Sequence, residues 1–285
     1  MKSIEDIILD RDQRGISEVR KLVPSNFCER SSNLILKNPG KILITTGFYI
    51  LSAGAAETDG PPGAIAIGNG LEKLGYQVTY VTDRYAHDLM INCKSESSKV
   101  IEFPIASIAD SKTYAANLLD SENPSVLLSI ERCAASDDEI YRNMRNADIS
   151  DHTARIDLMF PMHEQTVGIG DGGNEIGMGN IRQGVLESQT LVTYPAVATV
   201  NELIISSVSN WGGYGLLAAL SIQTNKNLLP SPEEDNETII KMVDMGAVDG
   251  FSGEQTYKVD GFDLEGNSLA LRELHSLVDE ALGKQ

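Results

Sequence analysis

Cysteine is scarce in this sequence of 285 residues, which contains only Cys28, Cys93 and Cys133. No two of them form a CxxC pair, so the spacing supports neither a zinc knuckle nor a disulfide framework. The four histidines are also scattered, without the HxH or HxxxH spacing of a His-ligated transition metal. Reduced thiols are typical of a reducing compartment, and we expect a cytoplasmic protein.

Basic residues and long apolar runs are few as well. The chain has 23 Lys and Arg against 41 Asp and Glu, a formal net charge of −18, which repels nucleic acid and anionic membrane surfaces. No run approaches the roughly 18 apolar residues of a membrane span, and the opening residues, MKSIEDIILDRDQRG, carry acids where a signal peptide is apolar. We therefore expect a small-molecule substrate, with neither nucleic acid nor membrane as partner. The oligomeric state stays open, a homo-oligomer included.

Short β-branched runs alternate with helical stretches along the chain. The predicted strands are 41–48, 77–83, 100–105, 126–131, 166–171, 190–197 and 203–210. The predicted helices are 64–75, 84–93, 111–120, 174–187 and 212–225. The strands are almost continuously apolar, which indicates burial on both faces. The pattern predicts an α/β fold with a doubly wound, mainly parallel sheet and helices on both faces.

The flanking regions do not follow this alternation. Residues 1–23 predict an N-terminal helical segment, and residues 266–283 predict a C-terminal helix that ends at a glycine. In residues 246–263 two Asp-Gly pairs frame QTYKV, which indicates a small hairpin or a strand appended to the sheet. Because we find no repeat and no linker, we expect one domain over residues 1–285.

Acidic residues collect in the loops that follow predicted strands, where open parallel sheets bind ligands. The loop after strand 41–48 is unusually long and carries Glu57 and Asp59 beside a Gly-Pro-Pro-Gly stretch, which favours a functional loop over a rigid turn. Glu131 follows strand 126–131, either in a simple ion pair with Arg132 or in contact with substrate. Further along, Asn143 and Arg145 are able to hold a carboxylate.

The segment GIGDGGNEIGMG, residues 168–179, combines six glycines with Asp171, Asn174 and Glu175. Glycines let the backbone approach a ligand, and the oxygen side chains suit Mg²⁺, Mn²⁺ or Ca²⁺. A purely structural glycine-rich turn is the alternative. The segment also matches the dinucleotide fingerprint GxGxxG, but weakly, because an aspartate in the turn opposes a pyrophosphate.

Two later loops complete the candidate site. Asn210 and Trp211 lie in SNWGGYG, residues 209–215, which forms either an aromatic lid over the site or ordinary packing. Asp249 in MGAVDGFSG is either a turn residue or a further acid of the site.

Five motifs together resemble one known family. They are ETDGPPGA at 57–64, ER at 131–132 with YRNMR at 141–145, GIGDGGNEIGMG at 168–179, SNWGGYGL at 209–216 and AVDGFSG at 247–253. In this order they resemble the D-glutamate cyclase C-terminal-like family from about residue 40 to residue 263. In eukaryotic relatives this domain follows a separate N-terminal domain, whereas here we expect it to stand alone.

The resemblance implies a metal-assisted hydro-lyase that converts D-glutamate to 5-oxo-D-proline and water, or a related reaction on a small carboxylate metabolite. A divalent cation (Mg²⁺, Mn²⁺ or Ca²⁺) would then be held by a subset of Glu57, Asp59, Asp171, Asn174 and Glu175. We expect Glu131, as the base, and Asp171 to be catalytic. The expected substrate contacts are Arg145, for the α-carboxylate, Asn143, Asn210 and Trp211. Two alternatives stay open: a non-catalytic subunit that binds a metal or metabolite, and an NAD-dependent oxidoreductase.

Overall fold

A parallel sheet forms the centre of the computed structural model, which describes residues 2–283. Met1, Lys284 and Gln285, which the predicted domain includes, lie outside the described residues. Along the chain the strands are β1 (Lys41–Thr45), β2 (Tyr49–Ile50), β3 (Ala55–Ala56), β4 (Gln77–Thr82), β5 (Lys99–Glu102), β6 (Val126–Ile130), β7 (Thr166–Gly170), β8 (Glu202–Ile205), β9 (Lys258–Val259) and β10 (Phe262–Asp263). Within the described residues, six of them form the parallel sheet in the order β5-β4-β1-β6-β7-β8, and β2-β3 and β9-β10 form two short hairpins.

The strand order shows why the sheet is doubly wound. From β1 the chain runs outward through β4 to β5, then returns to the other side of β1 and runs outward again through β6, β7 and β8. The direction reverses between β1 and β6, and ligands in such sheets bind in the crevice at this switch point. Ile42, Leu43 and Ile44 of β1 are fully buried, as expected for a strand that is covered on both faces. The predicted fold class is confirmed.

Helices surround the sheet. They are α1 (Ile4–Ile8), α2 (Phe27–Lys37), α3 (Pro61–Glu72), α4 (Arg84–Cys93), α5 (Ile108–Glu122), α6 (Arg182–Glu187), α7 (Ser209–Thr224), α8 (Pro232–Asp244) and α9 (Leu264–Ala281). Short 3₁₀ helices lie at Ile16–Leu22, Ser150–His152, Ile156–Met162 and Met178–Ile181. Helix α7 is the central one, because it packs against α2, α3 and α9 as well as the sheet. None of the helices in residues 2–283 has the length and apolar character that crossing a membrane requires.

One predicted strand is absent from the structure, and the predicted strands 41–48 and 100–105 end early, at Thr45 and Glu102. Residues 190–197 are irregular, because Pro195 has no N–H for a strand ladder and the segment instead packs on the glycine-rich loop, where the Ala196 N–H donates to Gly173 O at 2.9 Å. The predicted strand 203–210 ends at Ile205, and α7 begins at Ser209. The hairpin predicted within 246–263 is present as β9-β10 but pairs only with itself.

The predicted helices differ mainly in their ends. Residues 174–187 form a 3₁₀ turn followed by α6, because Gly177 has a φ of 106° that interrupts a continuous helix. Helices α2 and α8 were not predicted from the sequence. For α8 a local signal was present, since Ser231 and Glu234 form a capping box around Pro232 in the first turn.

Candidate functional site

The acidic loops meet where the sheet reverses its winding direction. Because β1, β6 and β7 lie side by side and parallel, the residues that follow them lie at one edge. Glu131 directly follows β6, and Asp171 directly follows β7. The backbone N–H of Glu131 donates to Ile169 O at 3.2 Å, which fixes the two strand ends against each other.

Asp59 and Asn210 hold the starts of two helices against each other. The Asp59 carboxylate accepts the N–H groups of Ser209 and Asn210, each at 2.8 Å, at the start of α7. In return the Asn210 Oδ1 accepts the N–H groups of Gly60 at 2.9 Å and Gly63 at 2.8 Å, at the start of α3. Burial, with the neighbouring Asp260, raises the pKa of Asp59 to about 7. Both predicted residues therefore lie at the site, but Asn210 is engaged in capping α3.

Glu131 has a backbone conformation that is unusual for its residue type. Its φ is 44°, in the left-handed region, and its carboxylate accepts the Ser209 hydroxyl at 2.5 Å. A Cβ at Gly60 would lie 2.6 Å from the Cβ of Glu131, so a glycine is required there. Burial, reinforced by the carboxylate of Glu175, raises the pKa of Glu131 well above its ordinary value. Strain of this kind is common at functional sites.

Glu175 organises the glycine-rich turn. Its carboxylate accepts the backbone N–H groups of Asp171 at 3.1 Å, Gly172 at 2.7 Å and Gly173 at 2.7 Å. These N–H groups are the ones that would cradle a phosphate in a dinucleotide fold. Because the protein's own carboxylate fills this position, the geometry gives the GxGxxG match no support. The turn also directs Asp171 into the space between the strand ends.

Asp171 is fully buried, and neither of its carboxylate oxygens has a hydrogen-bond partner. The nearest cation is Arg14, whose Nε lies 3.3 Å from Asp171 Oδ2 without forming a hydrogen bond. Burial raises the pKa of Asp171 well above its ordinary value, although Arg14 opposes the shift. An ionised carboxylate in this setting is costly unless a cation accompanies it.

Arg14 and Asp260 belong to the site although neither was predicted from the sequence. Arg14 Nη2 lies 2.7 Å from Asp260 Oδ2, and its guanidinium lies 4.9 Å from the centre of the Phe251 ring. Asp260 is 1% exposed, and its Oδ1 has no hydrogen-bond partner. Asp260 lies in the second Asp-Gly pair of the hairpin region, which was the available signal. Arg14 lies beside Gly15 in a segment with no sequence feature of an active site.

The carboxylates form two overlapping groups with spacing that suits a metal ion. One consists of Asp59, Asp171 and Asp260, and the other of Glu131, Asp171 and Glu175. In each group one oxygen from every residue lies within 4.8 Å of the others. Asp171 belongs to both groups.

A cavity of about 250 Å³ opens beside the carboxylates. Its wall includes Glu57, Glu131 and Asn174 on the sheet side and Asn143 and Arg145 at the rim. Burial, reinforced by Asp260, raises the pKa of Glu57 well above its ordinary value. Asp59, Asp171 and Glu175 are buried behind this wall, so the structure brings the predicted acidic residues together in two layers.

The predicted substrate-binding residues differ in how freely they face the cavity. Arg145 is exposed at the rim, where its guanidinium donates to Phe251 O at 3.4 Å. The Asn143 Oδ1 accepts two N–H groups of its own turn, from Arg145 at 2.9 Å and Ala147 at 3.0 Å. Trp211 is fully buried, and its Nε1 donates to Asn267 Oδ1 at 2.9 Å. Trp211 therefore packs between helices and forms no lid.

Two further candidates have structural partners. Arg132 is buried and bound to Asp83 at 2.6 Å, so it does not pair with Glu131. Asp249 accepts the Ser252 hydroxyl at 2.8 Å and the Gly261 N–H at 2.7 Å, which identifies it as a turn residue.

Comparisons with known proteins agree with the motifs. A family model described as D-glutamate cyclase-like, C-terminal, matches residues 4–275. The mitochondrial D-glutamate cyclase of Homo sapiens is 30% identical over 244 residues, which cover 78% of this chain and 39% of the human protein. The chain thus spans about two fifths of the length of that relative. Among solved structures, the crystal structure of Cj0485 dehydrogenase has a TM-score of 0.27 and 12% identity over 88% of this chain and 92% of that chain.

Proposed function

Because the chain belongs to the D-glutamate cyclase-like C-terminal family, we propose that it is a cation-dependent lyase that closes D-glutamate to 5-oxo-D-proline with loss of water. The observation that carries the proposal is the fully buried Asp171, whose two oxygens have no hydrogen-bond partner, next to a cavity with an arginine at its rim. A small amino dicarboxylate offers an ammonium group to the carboxylates and a carboxylate to the arginine.

Ring closure forms a bond between the amine nitrogen and the side-chain carboxyl carbon and breaks one carbon–oxygen bond. The ammonium group gives up two protons, and the departing oxygen takes both and leaves as water. A group that accepts and returns protons near neutral pH accelerates such a step. Glu57 and Glu131 lie on the cavity wall and have raised pKa values. Both are suited to this transfer, and Glu131 was the predicted base.

The residues around Asp171 suit a divalent cation such as Mg²⁺, Mn²⁺ or Ca²⁺. The unpartnered oxygens of Asp171 and Asp260 are hard donors, and five acids face a single arginine in the described residues of the cluster. Asp171 would hold the cation together with carboxylates of its two groups, and Asn174 on the cavity wall remains a proposed ligand. When bound, the cation would supply Lewis-acid polarisation of the carboxyl group.

Arg145 would bind the α-carboxylate of the substrate. It is exposed at the rim, and its guanidinium has only one hydrogen bond, at 3.4 Å, to the described residues. Arginine holds a carboxylate through two parallel hydrogen bonds. This local cation offsets the repulsion between an acidic substrate and a chain of charge −18.

The test is turnover by the purified chain. Metal-free protein is incubated with D-glutamate, with and without Mn²⁺ or Mg²⁺, and 5-oxoproline is measured by chiral chromatography with mass spectrometry. We expect cation-dependent formation of 5-oxo-D-proline, its loss in Asp171→Asn and its retention in Asp138→Asn, a control on the surface. No product from the folded, cation-loaded chain would refute the proposal.

A second candidate is a non-catalytic subunit that binds a cation or metabolite. The chain spans only 39% of the human relative, so turnover in this candidate would need a further protein. Calorimetric binding of D-glutamate without turnover would favour it.

A further inference from the structure

The two carboxylate groups that share Asp171 differ in their contacts with a cationic side chain of the protein. In the group with Asp59 and Asp260, Arg14 already lies between two of the carboxylates. Its Nη2 is 2.7 Å from Asp260 Oδ2, and its Nε is 3.3 Å from Asp171 Oδ2. Because the Arg14 side chain is 9% exposed and rests on the Phe251 ring, it is held in this position.

The group with Glu131 and Glu175 meets Arg14 only through the shared Asp171. Neither residue forms an ion pair with a Lys, Arg or His side chain of residues 2–283. Glu175 Oε2 accepts a single N–H group, and Glu131 uses Oε2 for the Ser209 hydroxyl. A carboxylate oxygen accepts about two hydrogen bonds, so both residues retain electron pairs for a ligand.

Asp171, which both groups share, supplies an independent sign of a missing ligand in the cluster. It is 0% exposed, yet neither oxygen has a hydrogen-bond partner. Arg14 does not satisfy it, because Arg14 Nε also lacks a hydrogen bond. Buried polar groups in proteins are nearly always paired, so a fully buried carboxylate with two free oxygens indicates a missing partner.

From these contacts we infer that the site holds one divalent cation, bound by Glu131, Asp171 and Glu175, and that Arg14 is the protein's own cation on the Asp260 side. The three carboxylates have oxygens within 4.8 Å of one another, a spacing that a single ion bridges. The inference rests on the proposed function for the presence of a cation, and it assigns the ligands. It also narrows the ligand set, because Asp59, Asp260 and Asn174 no longer bind this ion. Glu131 becomes a ligand, and Glu57 remains on the cavity wall as the proton acceptor.

Arg14 then determines how many cations bind. Removing its charge leaves Asp59, Asp171 and Asp260 as a second group with metal-ligand spacing and no counter-charge. We expect Arg14→Met to bind a second cation, whereas Arg14→Lys keeps a positive charge there and binds one.

The experiment measures Mn²⁺ binding to the full chain without substrate, by calorimetry and by elemental analysis after gel filtration. We expect one Mn²⁺ per wild-type chain and two per Arg14→Met chain, with one again in the double variant Arg14→Met, Asp260→Asn. In the wild-type background, Glu131→Gln should weaken binding by about tenfold or more, and Asp260→Asn should change it far less. Circular dichroism checks the fold of every variant.

Two Mn²⁺ ions in the wild type, or a loss of affinity in Asp260→Asn that exceeds the loss in Glu131→Gln, would overturn the inference. The comparison of Glu131→Gln with Asp260→Asn leaves Arg14 unchanged, so this part of the experiment remains valid even if Arg14→Met does not fold. Because substrate is absent, a failed inference is distinct from a failed lyase proposal, which turnover of D-glutamate decides. Glu57→Gln should keep Mn²⁺ binding and lose turnover, as a proton acceptor would and a ligand would not.

Discussion

Asp235 provides a prediction of how stability depends on pH. It is buried between α7, α8 and α9, where it accepts the Tyr214 hydroxyl and, at 3.0 Å, the Asn267 amide. Asn267 in turn accepts Trp211 Nε1, so this network fixes the helix whose first residues face the site. Burial raises the pKa of Asp235 to about 6, although both hydrogen bonds oppose the shift.

The direction of the pH effect on stability follows from the protonation state of Asp235 in the folded and in the unfolded chain. Below about pH 4 the Asp235 carboxyl is protonated in the folded and the unfolded chain, so its ionisation costs nothing. Above about pH 6 it is ionised in both states, and the folded state carries the full cost of the buried charge. Since one pKa unit corresponds to about 1.4 kcal/mol, a rise from 3.8 to about 6 costs about 3 kcal/mol at pH 7.

Urea denaturation of wild type and Asp235→Asn at pH 4, 5, 6 and 7 measures this cost. Because the unfolded carboxyl is already partly ionised at pH 4, we expect the unfolding free energy of the wild type to fall by about 2 kcal/mol relative to the variant between pH 4 and pH 7. Tyr214→Phe removes a hydrogen bond that lowers the pKa of Asp235. In this variant the unfolding free energy should therefore continue to fall at higher pH than in the wild type. A difference between wild type and Asp235→Asn that stays constant over this range would show that Asp235 does not have a raised pKa in the folded chain.

Three further predictions concern the site. Asn210→Ala removes the partner of the buried Gly63 N–H and of the Thr58 carbonyl, whereas the Gly60 N–H keeps Asp59, and it should lower the unfolding free energy by about 2–4 kcal/mol in denaturant; an unchanged midpoint would remove the capping role. Arg145→Ala should raise KM for D-glutamate with little change in melting temperature. Arg142 pairs with Asp138, so the control variant Arg142→Ala should leave KM unchanged. Equal KM values in the two variants would count against substrate binding by Arg145. Asp171→Asn should raise metal-free stability by removing a buried charge and abolish stabilisation by Mn²⁺; a loss of metal-free stability would identify it as architectural.

Local sequence pattern was sufficient to predict the sheet and the edge at which the acids meet. Buried parallel strands are apolar throughout, and residues that follow them share an edge, so Glu131 and Asp171 could be placed together in advance. The same pattern failed at 190–197, where an apolar run with a proline packs on the glycine-rich loop. Apolar character alone does not distinguish a strand from a packed irregular segment.

The remaining parts of the site depend on contacts between distant segments. Arg14 reaches Asp260 across 246 positions of the chain, and no local motif marks either residue as a partner of the other. The structural roles of Asn210 and Glu175 could not be predicted from the sequence for a related reason. Each uses its side chain to satisfy backbone N–H groups, and only the folded structure shows which ones.

Anomalous diffraction from a crystal grown with Mn²⁺ and 5-oxo-D-proline would locate both the cation and the product. We expect one anomalous peak among the oxygens of Glu131, Asp171 and Glu175, with the product in the adjoining cavity and its carboxylate at Arg145. A crystal that contains Mn²⁺ elsewhere, or product bound with no peak at Asp171, would contradict the claim that this cluster is a cation-dependent active site.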